Sequence, residues 1–297
     1  MTNLVPNVYA ALATTMFAAA VALAFRLRAR QITKMHLWYD DYAAVLGFIC
    51  GAGYCSTLFY WTTHYRFGQS IADLSPSESA YVLERSRLLM WISELFYANS
   101  IAATKFAALL FYYKMFRFTS IRIPIYVLFV TITIWIILRT FLVIFQCVPV
   151  EAIWDKTIPD PTCNIDTSKF FFGTVLTHCL MDIAIVLLPA FPVVKMQLPP
   201  AQKIAVIGLF ACGTMVCIAS VFVLIESINY DPNSKEMPHD VALNFVWGGV
   251  ETNLAVFSAC LPLLRPVFRK IIPGLKTRSS DNQATSEASF AFRNFHA

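Results

Sequence analysis

The sequence predicts an all-α membrane protein, a bundle of seven transmembrane helices with its amino terminus outside and its carboxyl terminus in the cytosol. Composition, seven apolar runs and the distribution of Lys and Arg all point to it. Of 297 residues, 58% are hydrophobic and only 14% are charged. Soluble chains run to about half apolar and about a quarter charged. Crossing the hydrocarbon layer takes roughly 20 mostly apolar residues, and the runs that qualify are Val8–Phe25, Tyr42–Trp61, Leu88–Tyr112, Pro124–Phe145, Phe170–Phe191, Ile204–Ile225 and Val241–Leu264. The net charge of +5 reads as the cytosolic excess of basic residues that orients membrane proteins, not as a nucleic-acid footprint.

No basic residue precedes the first run, and Arg26, Arg28, Arg30 and Lys34 follow it. That order reverses a cleavable signal and predicts a permanent anchor inserted amino-terminus-out. Along the seven runs, fifteen Lys and Arg fall in the segments on the cytosolic side and six in the outer loops, a contrast that fixes the predicted orientation. The second run follows a cluster of acidic and aromatic residues, Trp38 to Tyr42. The third carries Glu94 and Lys105, the fourth Arg139. Pro124 suits the first turn of the fourth helix, where its missing N–H costs nothing. The fifth carries His178 and Asp182 and meets Pro189 and Pro192; the seventh carries Trp247 and Glu251 and meets Pro262 and Pro266. Each proline pair is expected to bend or end its helix.

These segments divide the chain into a first helix with a basic loop (1–37), a domain of helices two to seven (38–266), and a terminal part (267–297). The mixed basic and apolar stretch Arg265–Lys276 is expected to lie flat on the inner leaflet. The polar, Ser- and Asn-bearing stretch Thr277–Ala297 is expected to be disordered.

Two of eight cysteines, Cys147 and Cys163, fall in one outer loop. That side is oxidising, so a disulfide between them is expected. No Cys/His spacing supports a metal site. Ionisable residues inside spans carry the sharper signal, because charge in lipid is costly and usually serves a purpose. Glu94 and Arg139 lie at similar depth on oppositely running helices and are expected to pair. Lys105, nearer a helix end, is expected to snorkel to the interface. Asp182 and Glu251 lie near mid-membrane, and His178 shares a helix face with Asp182 four residues on. Such carboxyls serve as acids, relays or ligand contacts, or as hydrogen-bonded links between helices. Trp247, one turn before Glu251, is expected to line a pocket with it. The seventh run holds no lysine, so no retinal Schiff base forms there, and no cofactor is expected.

Several segments together resemble the fungal rhodopsin-domain family of integral membrane proteins. They include Trp38-Tyr-Asp40-Asp41-Tyr42, Tyr65-Arg-Phe-Gly68, Lys105 with Phe111-Tyr112, and Phe145-Gln-Cys147-Val-Pro149 with Trp154 and Cys163. Asp182 with Leu188-Pro189, then Trp247, Glu251 and Leu261-Pro262, continue the pattern. Arg66 and Phe67 stand where that family usually shows Gly-x-Gly. The family includes receptors of the appressorium-signalling type and membrane proteins of secondary-metabolite clusters. The resemblance implies the seven-helix fold and supports the Cys147–Cys163 bridge. The expected function is a receptor-like protein, without retinal, that binds a small apolar ligand between its helices. Asp182, Glu251, His178, Trp247, Glu94 and Arg139 are the candidate contacts. The alternatives are an accessory or catalytic protein (cyclase or isomerase type, with Asp182 or Glu251 as acid) of a secondary-metabolite pathway, and a metabolite carrier. The expected surroundings are the lipid bilayer, with no nucleic acid.

Overall fold

The computed structural model describes residues 3–32, 34, 36–115, 122–163, 165–189, 200–228, 231 and 234–271, with side chains described except at 167, 168, 200–207, 209 and 262–271. The expected interfacial segment beyond Ile271 and the polar tail lie outside the described residues. Among the described residues, seven long helices form the fold: α1 (Val5–Ile32), α2 (Tyr39–His64), α3 (Pro76–Met115), α4 (Arg122–Ile144), α5 (Thr167–Leu187), α6 (Pro200–Ile228) and α7 (Ala242–Ile271). A 3₁₀ turn (Val150–Ile153) and a helical turn (Met237–Asp240) sit in the loops.

This is an all-α, multi-pass membrane protein. Six helices, α1 to α6, are long and apolar enough to cross a bilayer. Within its described residues α7 does not meet that measure, because Asn244, Glu251, Thr252 and Asn253 dilute its apolar character. Glu251, Thr252 and Asn253 are buried, and α7 packs against α1, α2, α3 and α6. Its polar residues therefore face protein, the arrangement that intramembrane polar groups require.

The prolines act unequally. Pro124 sits in the first turn of α4, and α5 ends at Leu187, two residues before Pro189. Pro262 and Pro266 do not end α7, which continues helical to Ile271. At 40 residues, α3 is about 60 Å long, twice the roughly 30 Å hydrocarbon thickness. Its first turns carry Glu78, Glu84 and Arg85.

At one end of the bundle two of the basic residues in the last turns of α1 are internal. Arg26 and Arg30 are buried against Asp40 and Asp41 at the start of α2. Arg26 Nη2 lies 2.5 Å from Asp40 and its Nε 2.8 Å from Asp41, while Arg30 reaches the same carboxylates at 3.0 and 2.8 Å. Arg26 Nη1 also donates to the carbonyl of Ala259 on α7 at 2.6 Å. Two of the fifteen basic residues expected to orient the chain are thus neutralised within the fold. At the other end, the Cys147–Cys163 disulfide is formed, and Val148 and Thr162 beside it exchange backbone hydrogen bonds of 3.0 and 3.1 Å.

Candidate functional site

Glu94, Lys105, Arg139, Asp182 and Glu251 converge on one buried network between α3, α4, α5, α6 and α7. The face of α3 that carries it is written in a spacing of three and four residues, Glu94, Tyr97, Ile101 and Lys105, which stacks side chains along one side of a helix. Glu94 pairs with Arg139 of α4, as expected. The same guanidinium donates to Thr174 at 3.0 Å and lies over the rings of Tyr97 and Trp135 at 5.3 and 5.5 Å. Cation–π contact of this kind supports a charge that has left water.

About three turns beyond Glu94 along α3, Lys105 does not snorkel. It is buried, forms an ion pair with Asp182 of α5, and donates to the His178 carbonyl at 3.3 Å. A lysine stem of four carbons lets the ammonium reach either the interface or a carboxylate. Here the carboxylate is adjacent and wins.

Asp182, His178 and Glu251 come together as their spacing and depth suggest. Asp182 and His178 share one face of α5, and Glu251 of α7 faces them. His178 Nδ1 lies 3.6 Å from Asp182 Oδ2 and 3.5 Å from Glu251 Oε1. Its other nitrogen, Nε2, lies 3.0 Å from the Tyr97 hydroxyl, which donates to Glu251 Oε2 at 2.7 Å. Ser220 of α6 donates to Glu251 Oε1 at 2.7 Å and lies 3.3 Å from Asp182 Oδ2. His178, Ser220 and Glu251 are fully enclosed, and Tyr97 and Asp182 nearly so. Nδ1 of His178 and one oxygen from each carboxylate lie within 4.8 Å of one another, a set of cation-seeking donors that spacing along the chain does not disclose.

Trp247 stacks on Phe222 of α6 at 4.3 Å. Sequence reasoning missed Tyr97 and Ser220, which look like ordinary polar residues in a span. The three-and-four spacing on α3 is the signal that places Tyr97 in line with Glu94 and Lys105; nothing comparable marks Ser220.

Below the network, the Lys105–Asp182 pair forms the polar wall of a cavity of ≈ 60 Å³ lined by Ile101, Phe111, Ile185, Phe210, Val216 and Ala255 among others. A second cavity, of ≈ 140 Å³, lies under the disulfide loop between Trp91, Arg87, Lys156 and Glu94. Burial, and then the neighbouring Arg87, hold the Lys156 ammonium below its usual range.

Residues 25–270 match the family model described as the fungal rhodopsin domain. The chain belongs to the fungal rhodopsin domain family. This fungal rhodopsin domain is 28% identical to a SAT4 family membrane protein of Emericella nidulans, over 65% of the chain and 50% of that protein. It is 28% identical to wortmanamides biosynthesis cluster protein C of Talaromyces wortmannii, over 79% of the chain and 62% of that protein. With receptor GIN3 of Arthrobotrys oligospora it shares 24% identity, over 90% of the chain and 64% of the receptor. The match thus spans half to just under two-thirds of each of these relatives. No solved structure matches this fungal rhodopsin domain. The matched span takes in every member of the buried network.

Proposed function

We propose that the chain crosses the membrane seven times, amino terminus outside, and works there as a receptor-like protein binding a small, largely apolar ligand between α3, α5, α6 and α7. The crossing number is supported by the length of α7, 30 residues, and by the burial of its polar residues in the bundle. The orientation is supported by the excess of basic residues in the segments assigned to the cytosol.

The ligand reading rests on one observation: the Lys105–Asp182 pair faces a cavity whose other walls are mainly apolar. Small-molecule sites have this build, a mostly apolar lining with a few placed polar groups. At ≈ 60 Å³ the space takes a ligand of a few heavy atoms, or the tip of a longer lipid-soluble one. Lys105 and Asp182 would contact it directly. Glu251 and His178 sit behind Asp182 and would act through it, and Glu94 and Arg139 support Tyr97 above.

Native mass spectrometry of the protein purified in lipid nanodiscs tests this reading. Ala255→Leu fills the cavity and should abolish co-purification of a bound apolar compound while leaving the melting temperature nearly unchanged. A compound retained at wild-type occupancy by both Ala255→Leu and Lys105→Met would place the site elsewhere.

A second reading, favoured by the relative named for a wortmanamide cluster, is an accessory or catalytic protein of a secondary-metabolite pathway. Small-molecule profiles of cells carrying intact protein or Glu251→Gln, at matched levels, separate the two. A precursor that accumulates while its product vanishes supports the pathway role; an unchanged profile supports the receptor-like one.

A further inference from the structure

We propose that Glu251, Tyr97 and His178 form a proton relay inside the bundle, in which one proton passes between the Glu251 carboxyl on α7 and the His178 imidazole on α5 through the Tyr97 hydroxyl on α3. The relay does not depend on the ligand reading above.

The hydrogen bonds define it. Tyr97 Oη lies 2.7 Å from Glu251 Oε2 and 3.0 Å from His178 Nε2, and its single hydrogen serves one of them at a time. If Tyr97 donates to an ionised Glu251, Nε2 must carry a hydrogen and donate to Tyr97. If Glu251 is protonated and donates to Tyr97, the Tyr97 hydrogen turns to the lone pair of Nε2. The heavy atoms fit both arrangements.

The other ring nitrogen decides the charges. Nδ1 is fully buried and has no hydrogen-bond partner, yet it faces carboxylate oxygens of Asp182 and Glu251 at 3.6 and 3.5 Å. A lone pair there would be repelled by both oxygens, whereas an N–H would be attracted, so Nδ1 carries hydrogen throughout. The first arrangement is then imidazolium with carboxylate, the second neutral imidazole with carboxylic acid. Transfer breaks the Glu251 O–H bond and forms Tyr97 O–H, as the original Tyr97 O–H breaks and N–H forms at Nε2. Nothing enters or leaves.

Charge balance selects a proton over a metal ion. Lys105 offsets Asp182, and the shared proton offsets Glu251, giving zero in both arrangements. Without that proton the cluster would hold one net negative charge; with a divalent ion in its place, one net positive charge. Either is costly in an apolar interior. The imidazole also meets the Trp135 ring of α4, edge-on at 5.8 Å, and lies within electrostatic reach of Glu94 of α3, while the Ser220 hydroxyl of α6 steadies Glu251 Oε1. Arg139, on Tyr97 from the α4 side, is already paired with Glu94. The relay links three helices through two states of equal net charge, the build of a switchable element.

The test uses the full chain in lipid nanodiscs. Infrared spectroscopy reads the carboxylic-acid carbonyl stretch of Glu251, assigned by its loss in Glu251→Gln. Nitrogen NMR of histidine-labelled protein reads the His178 ring, assigned by His178→Gln. Acid and imidazolium populations should be complementary and sum to one proton per chain. Tyr97→Phe, which removes only a hydroxyl, should shift the partition toward one partner and abolish exchange. Ser220→Ala, which removes a donor to the carboxylate, should raise the acid population. An ionised Glu251 beside a neutral His178, a partition indifferent to both hydroxyl deletions, or equimolar zinc retained by wild type and lost from His178→Gln would each overturn the relay.

Discussion

Lys105 of α3 and Asp182 of α5 close an ion pair inside the bundle, ten residues before α3 ends at Met115. Breaking one side of a buried pair strands a charge, at about 3–5 kcal/mol, while replacing both partners with apolar residues is often neutral. Lys105→Met should therefore lower the melting temperature of the protein in lipid sharply, and Lys105→Met with Asp182→Leu should recover most of the loss. Equal losses in the single and double variants would mean that the pair contributes by packing alone.

The four-charge cluster of Arg26, Arg30, Asp40 and Asp41 ties the end of α1 to the start of α2, and Arg26 adds a bond to α7 through the Ala259 carbonyl. Arg26→Met leaves Arg30 alone with two buried carboxylates and frees a carbonyl. A destabilisation of about 3–5 kcal/mol follows from the same asymmetry. Arg28, two residues from both Arg26 and Arg30, exposed and not among these pairs, should tolerate the same change with less than about 0.5 kcal/mol, as surface substitutions do. Thermal unfolding of the two variants side by side is the check.

Arg66 occupies the left-handed region, with φ 54°, two residues before Gly68 at φ 78°. A non-glycine residue there costs roughly 1–2 kcal/mol. What Arg66 returns is an exposed contact in which its Nη1 donates to both Asp73 oxygens at 2.9 Å, and such contacts are weakened by water and salt. Arg66→Gly should be neutral to mildly stabilising in thermal unfolding, and Arg66→Val, β-branched, should be destabilising. The Arg66 bond holds the Asp73 carboxyl below its ordinary value. A depressed carboxyl contributes above its unfolded value of about 3.9 and loses that contribution as pH falls through the lower folded value. Amide exchange in the 66–73 loop should accordingly accelerate only below about pH 4, and Arg66→Gly should remove that dependence.

Most of the helical fold was legible because apolar length is a one-dimensional signal. Six of the expected spans meet the physical measure of a membrane helix, and the Cys147–Cys163 bridge followed from two cysteines sharing one loop. The pairing of Glu94 with Arg139 was legible from depth, since helices running in opposite directions place those residues at one level. Depth does not say which way a long side chain turns, so Lys105 was expected at the interface and is found on Asp182. Arg26 and Arg30 follow an apolar run and so read as topology signals. Their partners lie only 10 to 15 residues on, but the turn that folds Asp40 and Asp41 back onto α1 has no marker in the sequence. Trp247 and Glu251 are four residues apart on α7; the ring stacks on Phe222 of α6, and the carboxylate accepts from Tyr97 of α3 and Ser220 of α6.

The close approach of α7 to α1 and α2 depends on Gly249, and this makes a last prediction. A β-carbon built at Gly249 would lie 2.2 Å from Leu12 Cδ2 and 3.4 Å from a ring carbon of Tyr54. Helices in membranes gain contact by such small residues, because lipid supplies no hydrophobic drive between them. Leu12 and Tyr54 are themselves buried, so neither can swing aside without displacing its neighbours. Gly249→Ala should cost about 1–3 kcal/mol, the usual penalty for overpacking, in thermal unfolding in lipid. Adding Leu12→Ala should recover part of that loss, since it removes the atom in the way, whereas Leu12→Ala alone should be destabilising through the space it leaves. Because Glu251 is two residues further along α7, the displaced helix should also lengthen the Tyr97–Glu251 contact. The carboxylic-acid stretch of Glu251 should therefore shift in Gly249→Ala and return toward its wild-type position in the double variant. A stable Gly249→Ala with an unshifted Glu251 would show that α7 does not bear on α1 at this point.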